Sequence, residues 1–307
     1  MDTLLQARTK ELFFYSPYNF IRVIDQQKQI QNIVIPTLIG NNNTETSISV
    51  QGKQHLFFHE YLAWDTAFFN LPTYKLKTVL FNHQDVSILA LAVKEFVTST
   101  IPEGAYLFIE IPSEDILLIQ ALGSAGFKLV ETRLNYFRGN LENLNEPRHP
   151  VRRATIADTD NLKRVAREMR NDYDRFHADT TFNVELADEF LSKYIEESLK
   201  GFADVVLTPN EPTIPSDSFL TAKFFKNEWD LLGKNVSKMV LSAVSNKTNK
   251  GWYAKLISEM TYLLRDEGAE FIHLNTQSTN RAVFYTWEKL GYRLGSSTHV
   301  LSLTNNK

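Results

Sequence analysis

Apolar residues recur along this chain in two rhythms, and the switching between them predicts its elements. Residues 104–137 read GAYLFIEIPSEDILLIQALGSAGFKLVETRLNYF. A strand-like apolar run gives way to a polar turn, and then Ile116, Ile119, Leu122 and Ala125 follow at three-residue steps with Leu118 beside them. Recurrence every three to four residues marks one face of a helix. Residues 268–301, GAEFIHLNTQSTNRAVFYTWEKLGYRLGSSTHVL, repeat the plan, with Val283, Phe284, Trp287 and Leu290 on the helix face. Both copies open on Gly-Ala. Both helices stop at a glycine followed by an aromatic, Gly126-Phe127 and Gly291-Tyr292, where a left-handed C-terminal cap favours glycine. A helical stretch precedes each copy, Val86 to Val97 and Trp252 to Leu264. The repeat predicts a mixed-sheet α/β fold built as tandem halves.

Between the copies, residues 139–150 (GNLENLNEPRHP) are polar, carry two prolines and have no period, which reads as a linker. Domains are therefore expected at 1–145 and 146–307. Past the linker, VRRATIADTDNLKRVAREM restarts as a strand and a helix whose buried face is Leu162, Val165, Ala166 and Met169. Asp158, Thr159 and Asp160 are all able to cap that helix. The proline-rich stretch 207–218 reads as an exposed excursion between strands, and Trp64 to Phe69 as packed core.

A length of 307 residues suits two domains. The net charge of −3 leaves no excess of cations to neutralise a phosphate backbone, so nucleic acid is not an expected partner. The absence of cysteine excludes disulfides, thiolate metal sites and a cysteine nucleophile, and fits a reducing compartment. The opening MDTLLQARTKELFF carries charges where a signal peptide needs an unbroken apolar run. No apolar run reaches the roughly 18 residues of a membrane span. The expectation is a soluble cytoplasmic protein with no membrane partner.

Chemistry concentrates in residues 236–264. An apolar strand, Met239 to Val244, enters the polar loop SNKTNKG, which opens a helix near Trp252. Backbone N–H groups and the helix dipole at such a start attract anions, and Lys247 and Lys250 add full charges. A pyrophosphate suits the place; so does a plain surface turn. The following strand ends on Asn275, Thr276, Gln277 and then Asn280, at the carboxyl end where ligands of α/β sheets bind. Asn280 alternatively caps the next helix.

Strand, anion loop, helix, strand and then Asn280, Val283, Trp287, Gly291 and Tyr292 at their spacing resemble the core of the GNAT superfamily of N-acetyltransferases. In that family the loop reads Gln or Arg, two residues, Gly, one residue, Gly or Ala. Thr248, Gly251 and Tyr253 fall on those positions here, so Gly251 alone matches. Residues 172–207 and 61–76 are similar to the dTDP-fucosamine acetyltransferase-like group, which acetylates nucleotide-linked amino sugars. The resemblance implies acetyl-CoA as co-substrate, no metal, and a small primary amine as acceptor. It implies cofactor contacts at Leu241, Ala243, Thr248, Lys250, Gly251, Trp252, Tyr253, Ala254, Asn280 and Trp287. It implies acceptor contacts at Arg175, His177, Asp179, Asn275 and Gln277.

The family's tyrosine acid falls on Trp287, whose indole is a poor acid. Tyr253 is the better candidate for that role, and His177 for the base, with His299 as its rival. The first half has no glycine before its helix at Val86, only FNHQD, and is expected to be a degenerate copy that walls the acceptor cleft or mediates a homodimer. Two other readings stand beside this one: a tandem aminoacyl transferase, and a non-catalytic module binding CoA or a sugar nucleotide.

Overall fold

The computed structural model describes residues 1–40 and 43–306. Three short helical pieces lead the chain: α1 (Asp2–Phe14), α2 (Gln26–Gln29) and α3 (Ile35–Ile39). Then come β1 (Thr44–Val50), β2 (Lys53–Tyr61), α4 (Ala63–Phe69), β3 (Thr73–Leu80), α5 (Val86–Thr100), β4 (Tyr106–Pro112), α6 (Ile116–Ser124) and β5 (Lys128–Arg138). After the linker follow β6 (Val151–Arg153), α7 (Thr159–Glu168), α8 (Arg175–Ala178), α9 (Val184–Glu197), β7 (Val205–Pro209), β8 (Ser218–Lys223) and α10 (Lys226–Leu232). The chain closes with β9 (Val236–Val244), α11 (Trp252–Asp266), β10 (Phe271–Gln277), α12 (Arg281–Lys289) and β11 (Arg293–Thr304). The two β-α-β-α-β runs expected from the repeat are thus β3 to β5 and β9 to β11.

Two units form. One is Met1–Arg133 with Ser296–Lys307, the other Leu134–Gly295. The boundary therefore falls inside β5, not at 145–146. The chain's last strand joins the first unit, where Thr298 to Thr304 of β11 pair antiparallel with Pro112 to Tyr106 of β4. Strand order is β1-β2-β3-β4-β11 in the first unit and β5-β10-β9-β8-β7-β6 in the second. The final strand of each run contains a unit boundary, between Arg133 and Leu134 in β5 and between Gly295 and Ser296 in β11, and sequence periodicity carries no trace of it.

Strand alternation places each core. In the first unit Phe57 faces α5 and α6 with Leu76, Leu107 and Ile109. Its neighbours Leu56 and Phe58 face α1 and α3 with Leu80. In the second unit Val205, Leu207, Leu220, Ala222 and Met239 lie under α11, whose Leu256, Ile257, Met260 and Leu264 repeat at helical spacing. Val206, Phe219 and Ala243 pack on the other face against Leu162, Val165 and Ala166 of α7 and Ile195 of α9. Burial on both faces is what a sheet covered by helices requires.

Three packing expectations change. On α6 the buried residues are Leu118, Ala121 and Leu122, while Ile116 is 55% exposed, because this helix is apolar around most of its girth and periodicity alone does not choose its face. In α4, Trp64 is 50% exposed and stacks on Phe68 at 5.1 Å, so of that segment Phe69 is the core residue. The linker is clamped: buried Glu259 of α11 accepts from Arg148 Nε and the His149 N–H, and Tyr262 donates to the Glu146 carbonyl. Phe57, fully buried and stacked on Phe96 at 4.4 Å, gives a test of the first core. Phe57→Ala should cost about 3–5 kcal/mol, read from denaturant unfolding, and a cost under about 1 kcal/mol would place the core elsewhere.

Candidate functional site

β9 and β10 lie parallel and pair over three positions, Phe271 with Val236, Ile272 with Ser237, and His273 with Lys238. Past Lys238 their pairing ends, although each strand continues, β9 to Val244 and β10 to Gln277. The cause lies on the other edge of β9. Its pairing with β8 runs Leu220 to Ser242 and then Ala222 to Met239, so β9 carries one extra residue there. Thr221 fills the bulge: its Oγ1 accepts the Leu241 N–H at 2.9 Å and donates to the Leu241 carbonyl at 3.2 Å. A bulge bends its strand and sharpens its twist, which turns β9 away from β10. The Leu241 amide is therefore occupied by Thr221.

At the end of β9 the loop 245–251 opens α11 through Gly251, at φ +88°. A side chain at that φ is strained, although a Cβ would meet nothing within 4 Å. Backbone conformation, not crowding, demands the glycine, and the space beside it stays open. No side chain caps α11, which leaves the opening amides of Tyr253 and Ala254 to an external acceptor.

Two of the loop's polar side chains, those of Thr248 and Asn249, bond to residues 215–218. Asn249, 1% exposed, donates to the Pro215 carbonyl and to Ser218 Oγ. Thr248 donates to Asp217 Oδ2 at 2.9 Å rather than standing free in the position expected for ligand contact. The Ser245 N–H goes to the Asp217 carbonyl. The stretch read as a bare excursion is in fact the loop's cradle. Trp252 is 2% exposed and its side chain belongs to the core under α11, while its main-chain N–H bonds to the Asn249 carbonyl. Lys247 and Lys250 are exposed on the outer side.

Tyr253 and Trp287 come together from 34 residues apart, the indole Nε1 donating to the phenol oxygen at 2.8 Å. Burial raises the Tyr253 pKa well above its ordinary value, against the Trp287 and Ser242 hydrogen bonds that lower it. Ala243 is buried on the α7–α9 face, and Leu241 packs beside it. Asn280 opens α12 without capping it; its Nδ2 donates to Thr276 Oγ1 at 3.2 Å. Gln277 accepts from Asn171 Nδ2 at 2.5 Å, which draws the segment after α7 to the end of β10, two residues from half-buried Asn275.

The α8 residues face inward. Both His177 ring nitrogens are occupied, Nδ1 by Asp174 at 2.8 Å and Nε2 by Asp188 at 3.1 Å. Burial lowers its pKa, but the two carboxylates outweigh it, and the net shift is upward. A ring held between two carboxylates is a cationic clamp between α8 and α9, not a base open to an amine. Arg175, 8% exposed, lies over the Phe176 ring at 4.3 Å. Asp179, 2% exposed, accepts the Thr181 N–H at 3.1 Å. Both side chains are largely buried within this unit. His299 belongs to the first unit, between Ser113 Oγ and Thr132 Oγ1, each at 3.0 Å.

The fold these features build has relatives among solved structures. A GCN5-related N-acetyltransferase from Sphaerobacter thermophilus matches with TM-score 0.57 and 7% identity, covering 99% of this chain and 94% of that one. A GNAT-family acetyltransferase from Colwellia psychrerythraea matches with TM-score 0.53 and 13% identity, over 98% and 97%. This chain has the fold of the GCN5-related N-acetyltransferases. A GCN5-related glucosamine N-acetyltransferase region of a fungal multi-domain GH3 β-N-acetylglucosaminidase gives TM-score 0.56 at 11% identity, over 97% of this chain and 37% of that one. No family model matches the chain, and no curated protein matches it in sequence. Among the described residues no helix is long and apolar enough to cross a membrane.

The first β-α-β-α-β run begins its helix differently. β3 and β4 also run parallel and pair from Thr73–Tyr106 to Leu76–Ile109. Here, however, Asp85 caps α5, its carboxylate accepting the N–H groups of Ser87 and Ile88 at 2.8 and 3.0 Å. Arg8 of α1 reaches across the strand ends, over the Phe81 ring at 4.3 Å and into an ion pair with buried Asp115, which also accepts from the Tyr15 hydroxyl. Arg8, Phe81 and Asp115 line a cavity of about 340 Å³ here, together with Asn82 to Gln84 and Glu114, so this half differs from the second in its capped helix start and its charged lining rather than in lacking space.

The His177 clamp has a pH signature. Its folded pKa is raised, so its contribution is full below the unfolded value, about 6.5, and is lost as pH rises through the folded one. The destabilisation caused by His177→Gln should be larger at about pH 5.5 than at about pH 8.5, compared by denaturant unfolding. An equal effect at both would show that the ring is not a charged clamp.

Proposed function

We propose that the chain is an acetyl-CoA-dependent N-acetyltransferase acting on a small primary amine. The observation that carries the reading is the parting of β9 from β10 directly beside the uncapped, glycine-opened start of α11. Such an opening leaves one edge of β9 free to pair with an extended amide-bearing chain, as a neighbouring strand would. The amides at the helix start suit the pyrophosphate at the end of that chain. Asn275 stands near the end of β10 and Asn280 at the start of α12.

The reaction joins the amine nitrogen to the acetyl carbon while the bond from that carbon to sulfur breaks. The amine gives up its proton to water, since His177 is closed. Tyr253 donates a hydrogen bond to the departing sulfur. Its high pKa opposes complete transfer to a thiolate, so the phenol stabilises charge and solvent supplies the proton. The acceptor we favour is a nucleotide-linked amino sugar, on the resemblance of residues 61–76 and 172–207. The amino-sugar activity named for the fungal region with this fold fits the same acceptor class. The non-catalytic reading draws on Trp287 in the tyrosine's place, and turnover decides between the two.

Acetyl-CoA should raise the unfolding temperature, and CoA thiol should appear when an amino sugar nucleotide is added. No shift with acetyl-CoA at millimolar concentration would end the reading. Gly251→Glu, which places a charge at the anion site, should abolish binding. Tyr253→Phe should lower kcat about 10- to 100-fold, the scale of one lost donor to developing charge, with KM for the amine little changed. An unaltered kcat would remove Tyr253 from the chemistry.

A further inference from the structure

The loop before α11 is an odd anion site, because a carboxylate lies directly beneath it. Asp217 is 8% exposed. Its Oδ2 holds the Thr248 hydroxyl at 2.9 Å and its main-chain carbonyl holds the Ser245 N–H at 3.0 Å, so the loop hangs on this residue at two points. A diphosphate settling on the adjacent amides would meet a like charge. Asp217 Oδ1, however, accepts Arg164 Nη2 at 2.9 Å. Arg164 arrives from α7 and is fixed there by Asn161 Oδ1 at 2.6 Å and by both Glu168 oxygens at 3.2 Å. The same helix region grips the rest of the cradle, with Asn161 Nδ2 on the Ser216 carbonyl and Arg152, itself paired with Asp158, on Ser216 Oγ.

We propose that Arg164 is a positioning residue for the CoA diphosphate: it neutralises Asp217, so that the carboxylate anchors Thr248 and the loop without repelling the anion the loop receives. The proposal rests on the acetyl-CoA reading and deepens it. It explains why Thr248 stands where the resembling family carries glutamine or arginine. A threonine hydroxyl is short and neutral and suits an internal anchor, while the cation is supplied from another element, by Arg164 through Asp217. It also ties anion affinity to α7, whose Leu162, Val165 and Ala166 fix it to the sheet.

The test is equilibrium binding of acetyl-CoA and, separately, of inorganic pyrophosphate to the full chain and to Arg164→Ala, Asp217→Asn and the double variant. Arg164→Ala should weaken both ligands by roughly tenfold or more, and more steeply at low ionic strength, because it leaves a lone carboxylate under the loop. Asp217→Asn keeps an acceptor for Thr248 and should bind nearly as the parent does. The double variant should recover to the level of Asp217→Asn, since no carboxylate remains beneath the loop and the Glu168 left without Arg164 is on the exposed side of α7. At saturating acetyl-CoA, kcat of Arg164→Ala should be unchanged while KM for acetyl-CoA rises. Arg164 is an exposed-side residue of α7, 45% exposed, and Arg164→Lys, which keeps the charge, should retain most of the affinity. Parent-like binding by Arg164→Ala overturns the proposal. So does a double variant as weak as Arg164→Ala, which would mark lost packing rather than charge. A parent chain that binds neither probe instead overturns the acetyl-CoA reading on which the proposal rests.

Discussion

The site depends on one extra residue in β9. Parallel neighbours normally stay hydrogen-bonded along their common length, and β9 and β10 stop after His273 meets Lys238. Thr221 of β8 satisfies both main-chain groups of Leu241 at the bulge. Contacts fix the elements on either side of the parting. Asn249 and Thr248 fix the loop to 215–218, and Trp287 of α12 reaches Tyr253 of α11. Unpaired backbone in a protein interior is costly unless something else takes its place. A binding partner with its own amides is the chemically economical occupant of such an edge.

The two repeats differ chiefly in how their first helices begin. Both carry parallel strands followed by helices that start at the strands' carboxyl ends. In the first, an aspartate at the helix start satisfies its own amides, and a guanidinium from α1 spans the gap to Asp115. In the second, a glycine in the left-handed region has no side chain to do either. The choice between Asp85 and Gly251 is electrostatic as well as steric, since a carboxylate already at a helix start repels a second anion there.

The periodic elements were legible because their signal is local. Val86, Trp252, Gly126 and Gly291 mark helix ends where the structure has them, and the positive φ of Gly251 follows from its place between a polar loop and an apolar helix. What stayed hidden depends on distant partners. Thr248 reaches Asp217 across 31 residues, and Arg8 reaches Asp115 across 107. His177 looked like a base because its ordinary pKa lies near neutrality; the two aspartates that close it, at 174 and 188, were visible in sequence as charges but not as its neighbours. Trp64 was read inward on hydrophobicity alone, yet a two-turn helix with one buried residue, Phe69, has no second core to face.

Trp287 is the departure from the family pattern that most invites a non-catalytic reading, and its geometry argues the other way. A tyrosine at that position would bring a phenol directly. An indole brings only a donor, and a donor aimed at an empty wall would be a buried polar group without recompense. Here it meets the Tyr253 oxygen, and Ser242 of β9 hydrogen-bonds the same residue. On the proposed reading the hydroxyl is supplied from α11 rather than α12, with the indole hydrogen-bonded to it. Two donors on one phenol stabilise negative charge on it, and burial opposes that charge more strongly. The balance leaves a neutral, oriented O–H, which is what stabilising a departing thiolate requires.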